Sequence, residues 1–301
     1  MLRGDQPVQG TRRTVPVSLR LGFAGDDYGY LIDLGLPSPS SSAFSLDPQI
    51  KTECIWHGPL LRPSTMLVDR NGPVVRIRTD DGKWDLATDR LSAFDSMMAS
   101  LSDPRNAPEM LTLRDLIREW RFYDHFRTDA SAPVRSPQVG TWTPILGNDG
   151  ADLAAAIQTI REIGSNHLLD EAVEDAFPGS RLSVANVEGR FALTMAQHGL
   201  LRPLGTAELS DGTLRYLLWI AALLTPRPPA LMVLNEPETS LHPDLLPALS
   251  RLIAKAAERT QVVVVTHAKT IVLALEEQAA CNSVILEKKF GETKVVGSGI
   301  V

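Results

Sequence analysis

The sequence contains few cysteines and no excess of basic residues. Cys54 and Cys281 are its only thiols among 301 residues. Two cysteines so far apart exclude a disulfide-stabilised scaffold and the closely spaced pairs of a zinc knuckle. The formal net charge of −6 excludes a strongly basic nucleic-acid-binding module, although a local basic groove is still compatible with it.

Long apolar runs are also absent from the sequence. The longest run, residues 216–224, is too short to cross a bilayer. The first residues contain no apolar signal core, so we expect a cytoplasmic protein with no membrane contact. A composition of 44% hydrophobic and 22% charged residues is typical of a globular protein with one large domain or two smaller ones.

The first part of the chain is rich in proline, glycine and short strand-like segments. Residues 15–23 and 30–34 predict one hairpin, and residues 65–69 and 74–78 predict another around an Asn-Gly turn. Residues 111–126 then show helical spacing. Their end interleaves basic and aromatic side chains, which indicates either an amphipathic helix or a surface for single-stranded nucleic acid.

The second half alternates predicted helices and strands, which indicates an α/β fold. We predict helices at residues 213–224 and 243–259, and strands at residues 230–234 and 262–265. The strand at 262–265 is apolar without alternation. That pattern is typical of a parallel strand covered on both faces.

Three segments of this half carry polar residues where chemistry is expected. They are ELSDGTLRY (208–216), ALMVLNEPETSLH (230–242) and QVVVVTH (261–267). In the last two, Asn235, Glu236 and His267 follow the ends of apolar strands, and ligands of open α/β sheets bind beyond such ends. In the first, Ser-Asp-Gly opens a helix, where exposed amides and the helix dipole favour an anion.

Each segment alone has an ordinary interpretation, as a turn residue, a structural histidine or a helix N-cap. Their order and spacing together resemble the C-terminal half of an ABC-type ATPase head. The resemblance is closest to predicted bacterial ATPases of the RecF/SMC-like branch, often described as AAA family ATPases. It implies a P-loop NTPase of ABC/SMC-head type, with an antiparallel β-subdomain, a helical insertion and an incomplete N-terminus.

The resemblance also implies cofactors, partners and residue roles. The cofactors are ATP and Mg²⁺, and the partner is a second copy of the chain in an ATP-dependent homodimer that works in DNA repair, on DNA or in defence. Glu236 would be the general base and His267 would sense the γ-phosphate. The binding positions are the signature residues Ser210, Asp211 and Gly212, the D-loop residues Ser240 and His242, and Asn235 at the Mg²⁺ position.

The resemblance predicts three segments. Residues 1–110 would form the antiparallel β-rich subdomain, residues 111–180 the helical insertion, and residues 181–301 the ATPase core. Asn235 departs from the family pattern, which has an aspartate there. An amide can still ligate Mg²⁺, but it lacks the negative charge, so weaker Mg²⁺ binding and slow hydrolysis are expected.

A second departure concerns the phosphate-binding loop. The motif Gly-x-x-x-x-Gly-Lys-Ser/Thr cradles phosphates with backbone amides and a lysine, and it is absent from this sequence. The single Gly-Lys pair, Gly82-Lys83, is followed by Trp84. We expect either a fragment of a longer ATPase or a chain that does not bind nucleotide and serves as an interaction module.

Overall fold

The computed structural model describes residues 18–38, 41, 43–101, 103–289 and 292–296. The chain divides into two compact units, with the boundary between Arg118 and Glu119. The first predicted strand, residues 15–23, begins outside the described residues. The predicted α/β class is confirmed, since one unit is built on an antiparallel sheet and the other contains a parallel sheet with helices packed on one face.

The first unit is built on a six-stranded antiparallel meander in which each strand pairs with the next in sequence. The strands are β1 (Ser18–Ala24), β2 (Tyr28–Gly35), β3 (Gln49–His57), β4 (Met66–Asn71), β5 (Val74–Arg78) and β6 (Trp84–Thr88). Two helices follow, α1 (Met97–Ser100) and α2 (Pro108–Glu119). Both predicted hairpins are present, as β1–β2 and β4–β5.

A buried ion pair lies inside this first unit. Arg70 on β4 contacts Glu53 on β3 at 2.5 Å, and both side chains are 0% exposed. Glu53 also accepts hydrogen bonds from the Tyr30 hydroxyl, the Ser96 hydroxyl and the Met97 amide. Burial, reinforced by the hydrogen bond to Glu53, raises the pKa of Tyr30 well above its usual value. The charges are thus compensated within the core, as buried ions require.

The second unit contains a parallel sheet in the order β13–β12–β7. These strands are β7 (Arg121–Tyr123), β12 (Leu231–Asn235) and β13 (Gln261–Val265). An antiparallel sheet is formed by β8 (Gln138–Val139), β9 (Arg181–Val187), β10 (Arg190–Ala196) and β11 (Leu204–Gly205). The strands β14 (Ile285–Lys289) and β15 (Glu292–Val296) form a hairpin.

Among the described residues of the second unit, five segments are α-helices. They are α3 (Leu153–Ile163), α4 (Asn166–Ala176), α5 (Asp211–Leu223), α6 (Leu246–Ala257) and α7 (Lys269–Gln278), with a 3₁₀ turn at Pro243–Leu245 before α6. From Leu214 to Leu223, every residue of α5 is buried. A helix that is buried on all sides is expected at the centre of a core, and Arg215 is the charged residue of this buried stretch. In the part of the chain that the structure describes, the helices are too short or too polar to span a membrane.

Two expectations about these elements are wrong in part. The helix predicted over residues 111–126 ends at Glu119, and β7 follows because Phe122 and Tyr123 pair with β12. Strand β13 pairs in parallel as expected, but Val263 and Val265 are 42% and 48% exposed. Only the face with Val262 and Val264 packs against the core. The apolar sequence of β13 therefore predicted its parallel pairing correctly. It did not predict that one face of this strand is exposed.

The predicted division at residues 110 and 180 stays a prediction. The unit boundary lies a few residues beyond position 110, and position 180 lies inside the second unit. The segment 111–180 contains α3 and α4 but also the strands β7 and β8.

Candidate functional site

The parallel strands of the second unit end at one edge of their sheet. Asp124 follows β7, Glu236 follows β12, and Thr266 and His267 follow β13. The amide of Glu236 donates a hydrogen bond to the carbonyl of Val265 at 2.7 Å, which holds the ends of β12 and β13 together. The polar side chains expected at this edge are therefore neighbours, at the place where α/β sheets bind ligands.

The catalytic pair predicted from the sequence is in contact. The Nε2 atom of His267 lies 3.2 Å from Oε1 of Glu236. The two side chains are 85% and 45% exposed, respectively. A carboxylate and an imidazole at this distance and exposure can both reach a bound water or a phosphate oxygen.

The loop after β12 has unusual backbone geometry. Among the described residues, three other than glycine have a positive φ, namely Glu188, Glu236 and Ser240. Glu188 lies in the β9–β10 hairpin, whereas Glu236 (φ 45°) and Ser240 (φ 63°) lie in this loop. Left-handed conformations disfavour residues with a β-carbon and concentrate at functional sites. The loop is therefore held in a costly conformation at the position of the candidate base.

Glu238, which the sequence analysis did not single out, connects this loop to the end of β13. Its Oε1 atom accepts hydrogen bonds from the Thr266 hydroxyl at 2.6 Å, the His267 amide at 3.0 Å and the Ala268 amide at 3.1 Å. These bonds fix the backbone that carries the His267 imidazole. The signal in the sequence was the second glutamate of NEPE, two residues beyond the first.

Helix α5 supports the same loop from one of its faces. Arg215 donates to the carbonyl of Thr239 at 3.0 Å, and Trp219 Nε1 donates to the carbonyl of Pro237 at 3.0 Å. A β-carbon placed on Gly212 would lie 2.9 Å from the Ser240 carbonyl oxygen. Glycine at 212 therefore allows the start of α5 to approach the loop closely.

The other predicted signature residues lie at the exposed start of α5. The Ser210 hydroxyl caps the helix by accepting from the Thr213 amide at 3.1 Å. Asp211 pairs with Arg135 at 2.5 Å. Arg135 also donates to the carbonyls of Thr206 and Leu209, so it fixes the segment that precedes the helix.

The predicted residues thus fall into two groups. Asn235, Glu236 and His267 lie at the edge of the parallel sheet, whereas Ser210, Asp211 and Gly212 lie at the start of α5. Ser240 adjoins Gly212. His242 caps the turn at Pro243–Leu245, where its Nδ1 accepts from the Asp244 amide at 3.3 Å.

A family match accompanies this geometry. Residues 83–273 match the family model described as "AAA domain, putative AbiEii toxin, Type IV TA system". The chain belongs to this family. The match covers well over half of the chain and includes both groups of predicted residues. The resemblance to AAA family ATPases is therefore confirmed.

Solved structures show a weaker likeness to this AAA-domain chain. The Smc head domain with a coiled coil and joint from Pyrococcus yayanosii is 18% identical over 46% of this chain, with a TM-score of 0.38; the match spans only 27% of that chain. The SMC head domain from Thermotoga maritima is 15% identical over 92% of this chain and 79% of its own, with a TM-score of 0.39. An SmcHead bound to the C-winged helix domain of ScpA is 10% identical over 90% and 74%, with a TM-score of 0.46. A search of curated proteins gave no match.

The AAA-domain family generally uses ATP with Mg²⁺, and the side chains at the sheet edge fit this ion. The Nδ2 atom of Asn235 donates to Oδ1 of Asp124 at 2.5 Å. The described residues include no group of three or more His, Cys, Asp or Glu side chains placed to hold a metal. Mg²⁺ is commonly held by one or two protein oxygens together with phosphate and water. The Asp124 carboxylate and the amide oxygen of Asn235 are ligands of the chemical type that Mg²⁺ takes.

Proposed function

We propose that the carboxyl edge of the parallel sheet takes part in binding and hydrolysing Mg-ATP, together with a phosphate-binding loop that these 301 residues do not contain. One observation carries the proposal. Glu236 and His267, on the ends of adjacent parallel strands, are exposed and 3.2 Å apart. Family membership supports nucleotide chemistry, and the contact between these two side chains supports its location.

In the proposed mechanism, Glu236 is the general base. Its carboxylate accepts a proton from a water molecule as the water oxygen bonds to the γ-phosphorus. The bond between that phosphorus and the β–γ bridging oxygen breaks, and ADP and inorganic phosphate leave. His267 donates a hydrogen bond to a γ-phosphate oxygen and keeps the carboxylate oriented. The hydrogen bonds of Glu238 to the backbone of residues 266–268 hold the imidazole in place, so little reorganisation is needed on binding.

Asn235 and Asp124 would hold the magnesium ion. When bound, Mg²⁺ neutralises the negative charge of the β- and γ-phosphate oxygens. The side-chain oxygens of these two residues would hold the ion near Glu236, which follows Asn235 directly in the sequence.

The start of α5 supports a finer proposal, an ATP-dependent homodimer. Ser210 and Asp211 are exposed at the N-terminus of a 13-residue helix. Such a terminus attracts anions through its free amides and dipole. We place the ATP phosphates of a second copy against it. DNA repair and defence are the settings that the resemblance implies, and the family description names a toxin of a toxin–antitoxin system.

The test compares Glu236→Gln with the wild-type sequence, both in a form of the protein that also carries a phosphate-binding loop. We expect the glutamine variant to lose roughly 100-fold or more of the ATP hydrolysis rate, because removal of a general base typically costs this much. It should still bind Mg-ATP and accumulate as a dimer in light scattering. Glu277→Gln, on an exposed position of α7, is the matched control and should hydrolyse ATP normally.

Two results would contradict the proposal. Wild-type rates in Glu236→Gln would remove this residue from catalysis. The absence of any rise in melting temperature with Mg-ATP would favour an interaction module without nucleotide, because a ligand of the native state must stabilise it.

A further inference from the structure

We propose that Arg135 is a positioning residue for the phosphate contact at the start of α5. It neutralises the Asp211 carboxylate and fixes the chain that precedes the helix, so that the first amides of α5 can donate to an ATP phosphate of a second copy. This inference rests on the proposed function, because it concerns the same ATP-dependent homodimer. It adds a residue that the sequence analysis did not single out.

The helix start carries negative charge at the place where an anion is expected to bind. Asp211 is the first residue of α5, and Glu208 precedes it by three residues. An acidic side chain in the first turn stabilises a free helix by interacting with its dipole. The same charge repels an incoming phosphate. A phosphate contact at this helix therefore requires that both carboxylates are compensated.

Each of these carboxylates is paired with an arginine. Nη1 and Nη2 of Arg202 donate to the two carboxylate oxygens of Glu208 at 2.8 and 2.6 Å. Nη2 of Arg135 donates to Oδ1 of Asp211 at 2.5 Å. Both pairs are formally neutral, so the amides at the helix start keep their attraction for an anion.

Arg135 has more internal partners than Arg202. Its side chain is 11% exposed, against 67% for Arg202. Nη1 of Arg135 donates to the carbonyls of Thr206 and Leu209 at 3.0 and 2.9 Å, and Nε donates to the carbonyl of Thr128 at 2.8 Å. The guanidinium thereby joins the segment after β7 to the segment before α5. Because main-chain carbonyls hold it, the cation stays at the helix start.

Two amides of the first turn are available to a phosphate. The first amides of a helix have no acceptor from a preceding turn. Ser210 accepts from the amide of Thr213 through its hydroxyl and from the amide of Leu214 through its carbonyl. Within the described residues, the amides of Asp211 and Gly212 are left without an acceptor. The residue that offers one of these amides is thus the one whose carboxylate Arg135 compensates.

A cavity of about 460 Å³ opens beside the pair. It is lined by Ala130, Arg135, Ser136, Ala207 and Asp211. The two charged residues of this lining are the members of the ion pair, so their charges cancel. A phosphate group of another molecule can therefore approach the helix start from this side without meeting a net negative charge.

The experiment measures the dimer dissociation constant by analytical ultracentrifugation in Mg-AMP-PNP, an ATP analogue that resists hydrolysis. It uses the form of the protein that also carries a phosphate-binding loop. We expect Arg135→Gln to weaken the dimer at least about tenfold, because like charges placed together across an interface oppose association. Glutamine keeps a donor for the carbonyls but leaves the Asp211 charge uncompensated. Arg135→Lys keeps the positive charge and should retain most of the affinity.

A double variant separates charge compensation from a purely structural role. In Arg135→Gln/Asp211→Asn the uncompensated carboxylate is gone, so most of the lost dimer affinity should return. An arginine that only supports the fold would not be rescued in this way. Arg161→Gln is the matched control, because Arg161 also donates to a carboxylate, that of Asp170, and to a carbonyl, that of Leu182. It should dimerise like wild type.

Wild-type dimer affinity in Arg135→Gln would overturn the inference, and so would an equal loss of affinity in the double variant. Thermal melting establishes that each variant is folded. If Arg135→Gln does not fold, Arg135→Lys decides the question. Retained affinity in the lysine variant would then support compensation by charge, and a loss of about tenfold would overturn it.

This measurement does not depend on hydrolysis, so the two proposals can fail separately. Rescue by Asp211→Asn, together with wild-type hydrolysis in Glu236→Gln, would retain the role of Arg135 and reject the catalytic base. Normal dimers in Arg135→Gln, together with lost hydrolysis in Glu236→Gln, would do the reverse. A wild-type protein that stays monomeric in Mg-AMP-PNP would overturn both the homodimer and the role of Arg135.

Discussion

One ion pair of the first unit and the polar pairs at the sheet edge of the second unit lie in opposite environments. In the first unit, Arg70 and Glu53 are completely buried between β3, β4 and the start of α1. In the second unit, Glu236 with His267 and Asp124 with Asn235 lie exposed at the end of a parallel sheet.

The two sites differ in whether their charged side chains have internal hydrogen-bond partners or face solvent. Arg70 donates to the carbonyls of Gly72, Ser92 and Asp95 as well as to Glu53. These internal partners occupy the guanidinium, and burial excludes a ligand. At the exposed edge, the side chains of Glu236 and Asp124 stay accessible to solvent. A buried network of this kind serves folding specificity, whereas an exposed cluster on a rigid sheet edge can bind and react.

The largest effect is expected from Arg70→Met in the first unit. This change leaves the Glu53 carboxylate buried without its cation, and breaking a buried pair in this way costs about 3–5 kcal/mol. We expect a corresponding loss in the free energy of unfolding, measured by urea denaturation with tryptophan fluorescence.

Arg76→Met is the matched control for that prediction. Arg76 pairs with Asp69 on the surface of the same sheet. Exposed pairs contribute about 0–1 kcal/mol, so this variant should stay within that range. Equal losses in the two variants would show that burial does not distinguish these pairs.

The sequence predicted most of the fold because its signals were local. The Asn-Gly turn and the alternation of β4 and β5 identified a hairpin, and the apolar strands β12 and β13 identified parallel pairing. Strand β7 was missed because helical spacing continued through residues that pair with β12. That pairing joins residues more than a hundred positions apart, and no local pattern encodes it.

The candidate site could be predicted from the sequence where its residues follow apolar strands, but not where they depend on distant pairing. Glu236 and His267 each follow an apolar strand, so their contact follows from parallel pairing. Asp124 was assigned to a helix, and its contact with Asn235 therefore could not be predicted. Glu238 was missed because its role depends on the backbone of residues 266–268, whose position only the folded sheet defines.

A smaller effect is expected from Glu238→Ala in the second unit. The change removes three hydrogen bonds to residues 266–268. Hydrogen bonds to a charged group contribute about 1.5–3 kcal/mol, but this loop can recover part of that from water. We expect a local loss of amide protection at His267 and Ala268 in hydrogen exchange, with little change at Arg70.

Glu238→Gln provides the comparison for this loop, because it retains an oxygen acceptor. It should preserve more protection at His267 than the alanine variant does. Full protection in Glu238→Ala would mean that the exposed edge is held by the strands alone, and it would remove Glu238 from its positioning role.

The smallest effect on stability is expected at the two cysteines. One is buried and the other exposed, so their labelling rates compare a closed interior with an accessible surface. Burial, with a smaller contribution from Asp69, raises the pKa of Cys54 to about 11, whereas Cys281 is exposed. The thiolate is the reactive form, so at pH 8 a maleimide should label Cys281 rapidly and Cys54 slowly.

Two variants test this difference in labelling. Cys281→Ser should leave the melting temperature unchanged and abolish the fast phase. Arg70→Met should accelerate labelling of Cys54, since weakening the buried network lowers the free energy of the opening that exposes this thiol. Two fast phases in the wild-type chain would contradict the closed interior of the first unit.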